Sequence, residues 1–484
     1  MEHLTRADAL RALRLDASPP MLSIDGRAID GAGRYEVIDP ATGEAFGTAP
    51  EASPAQLDQA VAAARQAQPA WASRSWAERR HSLLRLADLL QQDLDPLAAL
   101  ITLEQGKPLA RARDEVLRAA TQLQNLVAVE VPMEVLRHDA DGRVELHHRP
   151  LGVVGAITPW NMPLVLCLPK ITHALLTGNT IVVKPSPYTP LSALRFAQRA
   201  QSVLPRGVLN MVSGGNALGR ALAEHRDIDK ISFTGSGATG KKVMASSAGT
   251  LKRLTLELGG NDAAIVLADA DPEAIAPQLF HAAFANSGQI CMAIKRLYVH
   301  DSLHAAFCTA LARLAQAAPV GHGFEAGVAL GPVQNAAQYR IVLDILADAR
   351  ARGARFHCGG HAIERPGYFI APTVVSDIAE DSRLVAEEPF GPVLPVLSFS
   401  DIDEVVQRAN ASPYGLTGSV WGRDTQAAAR IAARLDVGTA SVNRHLWLDA
   451  QIPFGGAKQS GLGSEYAAQG LKHYMQAHVL KVPA

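Results

Sequence analysis

The sequence of 484 residues is poor in cysteine. Its four cysteines, Cys167, Cys291, Cys308 and Cys358, are far apart and form no Cys-x-x-Cys pair. This scatter argues against a disulfide framework and against a cysteine zinc site. Because free thiols persist in reducing compartments, we expect the protein in the cytoplasm.

The chain also lacks an excess of charge of either sign and an unbroken hydrophobic run. Lys and Arg number 46 and Asp and Glu 47, a net charge of −1, so we expect neither nucleic acid nor an anionic membrane as a partner. The first residues contain no apolar segment followed by a cleavage site, so no signal peptide is predicted. The long, weakly charged stretch 151–183 is interrupted by residues that argue against a membrane span, namely Pro159, Asn161, Pro163, Lys170, Gly178 and Asn179.

Metal-ligand spacing is missing as well. The sixteen histidines include the pair His147 and His148, but none stands in a spacing typical of a metal site, so no metal is expected. Internal repeats and low-complexity segments are also missing. A chain of this length exceeds one ordinary hydrophobic core, and we predict at least two domains.

What the sequence does contain is an alternation of strands and helices from Gly152 onward. Strands are predicted at 181–183, 209–212, 230–233, 254–258, 263–267 and 297–300, and helices at 189–203, 272–286 and 303–316. This alternation predicts an α/β fold with a parallel, doubly wound sheet and a second α/β domain. Earlier in the chain, a loop at 39–43 separates short strands, and Ser75 with Glu78 forms a capping box that opens a helix.

A glycine loop follows the strand at 231–233. Its sequence, Gly-Ser-Gly-Ala-Thr-Gly at 235–240, precedes a predicted helix, and this context is typical of a loop that holds a dinucleotide pyrophosphate. A Rossmann-type site also uses an acidic residue about 20 positions later to hold the ribose. Glu257, which lies 17 residues after Gly240, fits that position.

A set of longer motifs suggests a different role for Glu257. These are Leu-Thr-Leu-Glu-Leu-Gly-Gly at 254–260 with Cys291 34 residues after Glu257, Pro-Trp-Asn-Met-Pro at 159–163, Val-Lys-Pro-Ser at 183–186, Phe-Thr-Gly-Ser at 233–236, Glu-Glu-Pro-Phe-Gly-Pro at 387–392, and Pro-Phe-Gly-Gly-Ala-Lys-Gln-Ser-Gly at 453–461. Together and in this order they resemble the NAD(P)-dependent aldehyde dehydrogenase superfamily, from about residue 35 to the end of the chain.

The resemblance implies a catalytic set. Cys291 corresponds to the nucleophile that attacks the aldehyde and becomes a thioester. The side-chain amide of Asn161 and the backbone N–H of Cys291 would form the oxyanion hole. Glu257 corresponds to the base that activates the hydrolytic water rather than to a ribose ligand. Lys170 and Glu465 correspond to a pair that passes protons outward in some relatives, although a structural ion pair is an equal alternative.

The resemblance also implies NAD as cofactor. Lys184 would bind the adenosine ribose, Ser236 and Trp160 would lie at the pyrophosphate, and Glu388 and Phe390 would hold the nicotinamide ribose and ring. The full cofactor set comprises Thr158, Trp160, Lys184, Ser186, Gly215, Gly235, Ser236, Leu258, Glu388 and Phe390. One departure concerns Pro187, because NAD-preferring relatives commonly have a glutamate there that chelates the ribose. Without this carboxylate a 2′-phosphate meets less repulsion, so NADP is possible as well.

Residues carried over to the substrate pocket are apolar and predict an aliphatic or aromatic aldehyde. They are Met162, Leu166, Leu168, Ile290, Met292, Leu446 and Leu448. Arg444 and His445 lie nearby and could instead pair with the carboxylate of a semialdehyde. The remaining alternatives are a CoA-acylating dehydrogenase, which would tend to lack Glu257, a non-catalytic NAD-binding protein, and a cysteine hydrolase, for which no histidine partner of Cys291 is evident.

The expected architecture has three parts. A dinucleotide-binding domain would comprise residues 1–127 and 151–259, and a catalytic domain residues 260–459. A β oligomerisation flap and C-terminal segment would comprise 128–150 and 460–484, joining the strand at 143–148 to the one at 478–482. Because an exposed strand of this kind invites pairing, we expect a homodimer or homotetramer.

Overall fold

The computed structural model describes residues 5–15 and 17–483 of the chain. Its α-helices are α1 (Arg6–Leu13), α2 (Pro54–Ala72), α3 (Trp76–Gln92), α4 (Leu94–Gln105), α5 (Leu109–Leu126), α6 (Cys167–Leu176), α7 (Leu191–Ala200), α8 (Asn216–Glu224), α9 (Gly237–Ser247), α10 (Pro272–Phe284), α11 (Asp301–Ala317), α12 (Ala336–Ala351), α13 (Arg383–Ala386), α14 (Ile402–Asn410), α15 (Thr425–Ala432) and α16 (Ala467–Lys472). None of the helices in these described ranges is long and apolar enough to cross a membrane.

The strands are β1 (Leu22–Ile24), β2 (Arg27–Ile29), β3 (Gly33–Asp39), β4 (Glu44–Glu51), β5 (Glu134–Asp139), β6 (Gly142–Pro150), β7 (Val153–Ile157), β8 (Thr180–Lys184), β9 (Leu209–Met211), β10 (Lys230–Thr234), β11 (Arg253–Glu257), β12 (Asp262–Val266), β13 (Ile294–His300), β14 (Arg355–Cys358), β15 (Thr373–Ser376), β16 (Val393–Phe399), β17 (Tyr414–Gly415), β18 (Thr417–Trp421), β19 (Thr439–Val442), β20 (Ala457–Lys458), β21 (Gly461–Leu462) and β22 (Met475–Val482).

The first large sheet has the strand order β2-β1-β9-β8-β7-β10-β11-β21. Its five central strands are parallel, and β1, β2 and β21 are antiparallel additions at the two edges. Counted along the chain from β7, the parallel strands follow the order 3-2-1-4-5, which is that of a Rossmann-type sheet. All five residues of β7's neighbours β8 and β10 are buried, as expected for strands covered by helices on both faces.

The second large sheet has the order β14-β15-β16-β13-β12-β18-β19 and is parallel except for β14. It packs its own core, with α10 and α11 on one face and α14 and α15 on the other. The chain passes from the first sheet to the second through residues 258–261, between β11 and β12. The ends of the two sheets therefore meet at this short connection.

A separate antiparallel sheet has the order β22-β6-β5. β22 pairs with β6 along eight residues, from Met475 opposite Pro150 to Val482 opposite Arg143. This pairing confirms the expected union of the strand near 143–148 with the C-terminal strand. Every residue of β5 is exposed, including Val135 and Leu136.

The predicted elements agree with the structure apart from their ends. The capping box of Ser75 and Glu78 opens α3, with hydrogen bonds in both directions. The helix predicted at 189–203 is limited to Leu191–Ala200, because a residue before a proline, here Thr189, disfavours helical geometry, and the chain turns at 201–203 before Pro205. The helix predicted to end at residue 286 stops at Phe284, where a 3₁₀ turn over Ala285–Gly288 replaces its last residues.

Candidate active site

The candidate site lies at the carboxyl ends of the parallel strands of the first sheet. Residues 158–161 follow β7, residues 235–236 follow β10, and Lys184 and Glu257 are the last residues of β8 and β11. The strand order reverses between β7 and β10, and open α/β sheets bind ligands in the crevice outside such a reversal. The residues predicted to bind cofactor therefore converge at a position that suits a dinucleotide.

The glycine loop opens α9 as the motif predicts. Ser236 is the N-cap of the helix, and its hydroxyl accepts a hydrogen bond from the backbone of Thr239 at 3.3 Å. A Cβ built on Gly237 or on Gly215 meets no atom within 4 Å, so both glycines leave open space beside the loop. Nearby, the Thr158 hydroxyl is buried without a hydrogen-bond partner among the described residues. The cradle fits the phosphates of a dinucleotide at a helix N-terminus.

Lys184 is a buried ammonium with spare hydrogen-bonding capacity. Its Nζ donates to the carbonyl of Pro185 at 3.1 Å, and burial lowers its pKa to about 8. An ammonium group carries three donors, and the hydroxyls of a ribose would satisfy the others. Ser186 is buried beside it, where its hydroxyl accepts from the backbone of Tyr188 at 3.3 Å. Pro187, at the position of the missing carboxylate, is partly exposed.

Cys291 lies between a strained turn at Ala285–Gly288 and β13. Asn286 and Ser287 have φ values of 53° and 56°, and Gly288 has a φ of 73°. A Cβ on Gly288 would lie 2.0 Å from the carbonyl oxygen of Gly391, so only glycine fits. Non-glycine residues with positive φ store about 1–3 kcal/mol each and concentrate at functional sites. The thiol of Cys291 keeps partial exposure, and burial raises its pKa to about 12.

Asn161 is bonded to the turn that carries Cys291. Its side-chain Nδ2 donates to the backbone carbonyl of Gln289 at 2.9 Å. The backbone carbonyl of Asn161 accepts a hydrogen bond from the side-chain amide of Asn286 at 3.1 Å. The same carbonyl accepts from Lys107 Nζ at 3.1 Å. The structure thus brings Asn161 to the nucleophile's turn, although 130 positions separate Asn161 and Cys291 in the sequence.

Glu257 is buried, and its Oε1 has no hydrogen-bond partner among the described residues. Burial raises its pKa well above the usual value, and the nearby Glu465 raises it further, whereas Lys170 lowers it. Lys170 and Glu465 form a buried ion pair, with 2.5 Å between Nζ and Oε1, and Lys170 also donates to Ser232 at 3.2 Å. The predicted pair is therefore in contact and lies close enough to Glu257 to act on its charge.

Glu388 and Phe390 lie beside the connection between the two sheets and the loop after β7. Glu388 Oε1 accepts from the backbone of Gly260 at 3.3 Å. The ring of Phe390 meets Trp160 edge to face, with 5.3 Å between centroids. Leu258 is buried and packs against Gly240. A Cβ on that glycine would lie only 2.5 Å from the leucine side chain.

The structure separates the predicted pocket residues into two groups. Six are partly exposed, as a pocket lining requires: Met162, Leu166, Ile290, Met292, Leu446 and Leu448. The prediction for Leu168 is wrong. Its side chain is 1% exposed and packs in the hydrophobic core of the first sheet, in a helix of which every residue is buried.

Sequence reasoning missed several residues that shape the site. Lys107 and Glu115 form a buried ion pair, and Glu115 also accepts from the backbone of Leu164 at 3.0 Å and of Val165 at 3.3 Å. This pair therefore holds the backbone of the loop in two places, with Lys107 on the carbonyl of Asn161 and Glu115 on the N–H groups of Leu164 and Val165. Nothing in the sequence distinguishes these two charged residues from their charged neighbours Arg111, Arg113 and Asp114, and no local pattern indicates their partners.

Three further residues near the nucleophile were missed. Lys295, four residues after Cys291, is buried with its ammonium on the carbonyl of Cys291 at 2.8 Å. Asp262 is also buried, and burial raises the pKa of its carboxyl group to about 7. Tyr466, next to the predicted Glu465, is buried with a hydroxyl that lacks a hydrogen-bond partner among the described residues. In the described ranges, no group of three or more His, Cys, Asp or Glu side chains could hold a metal ion.

Comparison with known proteins identifies the family. The family model described as the aldehyde dehydrogenase family matches residues 28–480. Aldehyde dehydrogenase LUC3 from Fusarium sp is 40% identical, covering 94% of this chain and 96% of its own length. Phenylacetaldehyde dehydrogenase from Pseudomonas fluorescens is 39% identical, covering 98% and 97%. The chain belongs to the aldehyde dehydrogenase family.

Solved structures show the same fold. The NAD⁺ complex of an aldehyde dehydrogenase from Bacillus cereus is similar with a TM-score of 0.95 and 36% identity, over 98% of each chain. An NADP-dependent enzyme from E. coli is similar with a TM-score of 0.94 and 34% identity, over 96% of this chain and 98% of its own. The chain therefore has the aldehyde dehydrogenase fold and is an oxidoreductase of that family, which confirms the expected family and fold.

The ion pair of Lys107 and Glu115 leads to a prediction about stability. Replacing Lys107 by Met leaves the Glu115 carboxylate buried without a cation, and breaking a buried pair in this way typically costs about 3–5 kcal/mol. We expect Lys107→Met to lower the apparent Tm clearly in thermal denaturation. The double variant Lys107→Met/Glu115→Gln removes the uncompensated charge, and its Tm should be higher than that of Lys107→Met alone. Equal Tm values for the two variants would contradict this account.

Proposed function

We propose that this protein oxidises an aldehyde to a carboxylic acid with NAD, or with NADP, through a thioester on Cys291. The observation that carries the proposal is the convergence of Cys291, Asn161 and Glu257 at the carboxyl edge of a Rossmann-type sheet. Thr158, Lys184 and Ser236 would hold the dinucleotide in the adjoining cradle, with Glu388 and Phe390 at its nicotinamide end. When bound, the nicotinamide supplies the acceptor for one hydride.

In the first step, Cys291 loses its proton and its sulfur bonds to the aldehyde carbon, giving a thiohemiacetal alkoxide. The side-chain amide of Asn161 and the backbone N–H of Cys291 stabilise the new negative charge on oxygen. Loss of hydride from the same carbon restores the C=O double bond and leaves a thioester on Cys291. Because burial raises the pKa of the thiol to about 12, a nearby base is needed for its deprotonation, and Glu257 lies within electrostatic range of it.

In the second step, Glu257 accepts a proton from water as the water oxygen bonds to the thioester carbon. The C–S bond then breaks as Glu257 passes that proton to sulfur, which releases the carboxylic acid and re-forms the thiol. The raised pKa of Glu257 suits this role, because a carboxylate of ordinary pKa is a weak base near neutral pH. The proton that Glu257 takes from the thiol in the first step has to leave before water is activated, and the ion pair of Glu465 and Lys170 would take part in passing it to solvent.

Two features support the base over the ribose ligand as the role of Glu257. Its Oε1 is buried without a hydrogen-bond partner among the described residues, so this oxygen is available to accept a hydrogen bond from a water molecule. In this proposal Lys184 and Glu388 hold the two riboses, which leaves neither ribose for Glu257. Retention of this carboxylate also favours hydrolysis over transfer to CoA.

Substrate class follows from the part-exposed, apolar residues around Cys291, which suit an aliphatic or aromatic aldehyde. The geometry gives less support to a semialdehyde. Burial lowers the pKa of His445 to about 3, so the ring is neutral, and it lies 2.9 Å from Ser419 Oγ. The exposed guanidinium of Arg444 lies over the ring of Trp447 at 5.1 Å.

We also propose that residues 1–127 and 151–259 form the dinucleotide-binding domain and residues 260–459 the catalytic domain. Residues 128–150 and 460–484 would form the flap and the C-terminal segment.

Self-association through the three-stranded flap would cover an exposed edge. β5 and β22 are its two edge strands, and apolar side chains on both are about half exposed, among them Leu136 and Val479. Exposed edges of this kind are normally paired or protected. We infer a homodimer or homotetramer that meets at the flap, and a cytoplasmic location like that of the cytosolic rat aldehyde dehydrogenase, which is 38% identical.

Loss of the Asn161 amide should lower turnover with little effect on folding. Asn161→Ala removes one oxyanion donor, which typically costs about 10²–10³-fold in kcat. We expect that loss in steady-state NADH production from a folded variant, with an apparent Tm slightly lower than that of the parent because the hydrogen bond to Gln289 is lost. A decrease of less than tenfold in a folded variant would show that Asn161 does not stabilise the alkoxide.

Glu257→Gln distinguishes the two roles of Glu257. If Glu257 is the base for hydrolysis, NAD affinity should barely change, and rapid mixing should show a burst of up to one NADH per subunit. A steady state slower by about 10²–10⁴-fold should follow, and mass spectrometry should find the acyl adduct on Cys291. Cys291→Ala is the matched control, with NAD binding retained but neither burst nor adduct.

The opposite result would identify Glu257 as a ribose ligand. In that case Glu257→Gln would weaken NAD binding, turn over nearly normally at saturating NAD, and accumulate no acyl-enzyme. A smaller burst with a clear adduct would indicate that Glu257 also assists deprotonation of the thiol, and it would still support the role in hydrolysis.

Cofactor preference depends on Pro187 in this proposal. We expect measurable activity with NADP as well as NAD, because the carboxylate that would repel a 2′-phosphate is absent. Pro187→Glu should raise the NAD to NADP ratio of kcat/KM by roughly tenfold, corresponding to about 1.4 kcal/mol. An unchanged ratio would show that residue 187 does not face the adenosine ribose.

A further inference from the structure

Lys295 is a buried cation that binds the backbone of the nucleophile's turn. Its side chain is 3% exposed, and its Nζ donates to the carbonyl of Ile290 at 2.7 Å and to that of Cys291 at 2.8 Å. The carbonyl of Ala293 lies at 3.5 Å. Burying an ammonium costs several kcal/mol unless other groups compensate it. Here the compensation comes mainly from carbonyls within the turn itself.

The same ammonium lies between the nucleophile and the nicotinamide end of the cradle. Its Nζ is 3.4 Å from Glu388 Oε1 and 5.8 Å from the centre of the Phe390 ring. At that distance the contact with Glu388 is longer than an ideal charge-assisted hydrogen bond. The positive charge of Lys295 is therefore only partly balanced by Glu388, and it acts on the thiol of Cys291 as well.

Charged groups around Cys291 act in opposite directions on its thiol. Burial raises the pKa of the thiol most strongly, and the carboxyl groups of Glu388, Asp262 and Glu257 add to the increase, whereas Lys295 lowers it. Two further titratable groups pack nearby. His445 is neutral beside Met292, and Tyr466 is held protonated by burial and by the acids around it.

We infer that Lys295 is a positioning residue that fixes the turn carrying Cys291 through its backbone carbonyls and stabilises the Cys291 thiolate by its charge. The inference rests on the proposed function, in which Cys291 is the nucleophile. Lys295 itself contacts no reacting atom. It acts through Cys291, and the consequence is a thiol that ionises more readily than its burial alone would allow.

The test measures the reactivity of the thiol without cofactor or substrate. Iodoacetamide alkylates thiolates, and mass spectrometry assigns the adduct to Cys291 rather than to the other three cysteines. We compare the parent enzyme with Lys295→Gln and Lys295→Met at several pH values between about 7 and 9. The amide of Lys295→Gln can keep hydrogen bonds to the carbonyls but has no charge, whereas Lys295→Met loses both.

Lys230→Met is the matched control. Lys230 is also fully buried, and its Nζ donates to Thr255 at 2.7 Å and lies 4.5 Å from the centre of the Tyr474 ring, so it does not contact the nucleophile's turn. Its removal tests the general effect of losing a buried lysine. We expect Cys291 to be alkylated in this variant at the parent rate.

Both Lys295 variants should be alkylated more slowly at every pH, by roughly three- to tenfold. A rise of about one pKa unit reduces the thiolate tenfold, and a more basic thiolate reacts somewhat faster, which offsets part of that loss. Lys295→Gln provides the result if Lys295→Met does not fold. A folded Lys295→Gln variant with the parent rate, or an equal loss in Lys230→Met, would overturn the inference.

The outcome is separate from that of the proposed function. Alkylation at Cys291 is measured whether or not the protein oxidises aldehydes, so a slow Lys295→Gln variant supports the inference even if no substrate is found. Conversely, retention of aldehyde oxidation by Cys291→Ala would disprove the proposed nucleophile without changing the alkylation rates.

Discussion

The parallel register of β7, β8, β10 and β11 is the constraint on which the site depends. Parallel pairing places the carboxyl ends of these strands at one edge of the first sheet. Residues that are far apart in the sequence, such as Asn161, Lys184 and Glu257, lie at or just beyond that edge and therefore line a common crevice. The short connection from β11 to β12 then sets the second sheet, and with it the turn of Cys291, against the same crevice.

Desolvation of charge is the second organising force. The chain buries Lys107 with Glu115 and Lys170 with Glu465 as close ion pairs, yet it compensates Lys295 largely with backbone carbonyls. Buried pairs contribute little net stability, because the cost of removing two ions from water roughly equals their attraction. Their value here is geometric, since each pair or cation fixes a loop that reaches the crevice.

Much of the fold and part of the site could be predicted from the sequence. Strand and helix alternation and the glycine loop are local patterns, and the structure follows them closely. The contacts of Lys107 and Lys295 could not be predicted, because the residue type alone does not indicate that Lys107 meets the distant carbonyl of Asn161 or that Lys295 folds back onto its own turn. Leu168 was misplaced because the chain enters the buried helix α6 at Cys167, directly after the partly exposed Leu166.

The environments of Cys291 and Glu257 are best understood together. Burial raises the pKa of both groups, so the thiol resists losing a proton and the carboxylate accepts one readily. The two nearby lysines act on different members of this pair: Lys295 lowers the pKa of the thiol, and Lys170 lowers that of the carboxyl group. Glu465 opposes Lys170 at Glu257. The distribution of one proton between sulfur and carboxylate is therefore governed by charges that lie behind the two groups, within the protein core, where solvent screens them least. A substitution behind either group should consequently alter the chemistry of both.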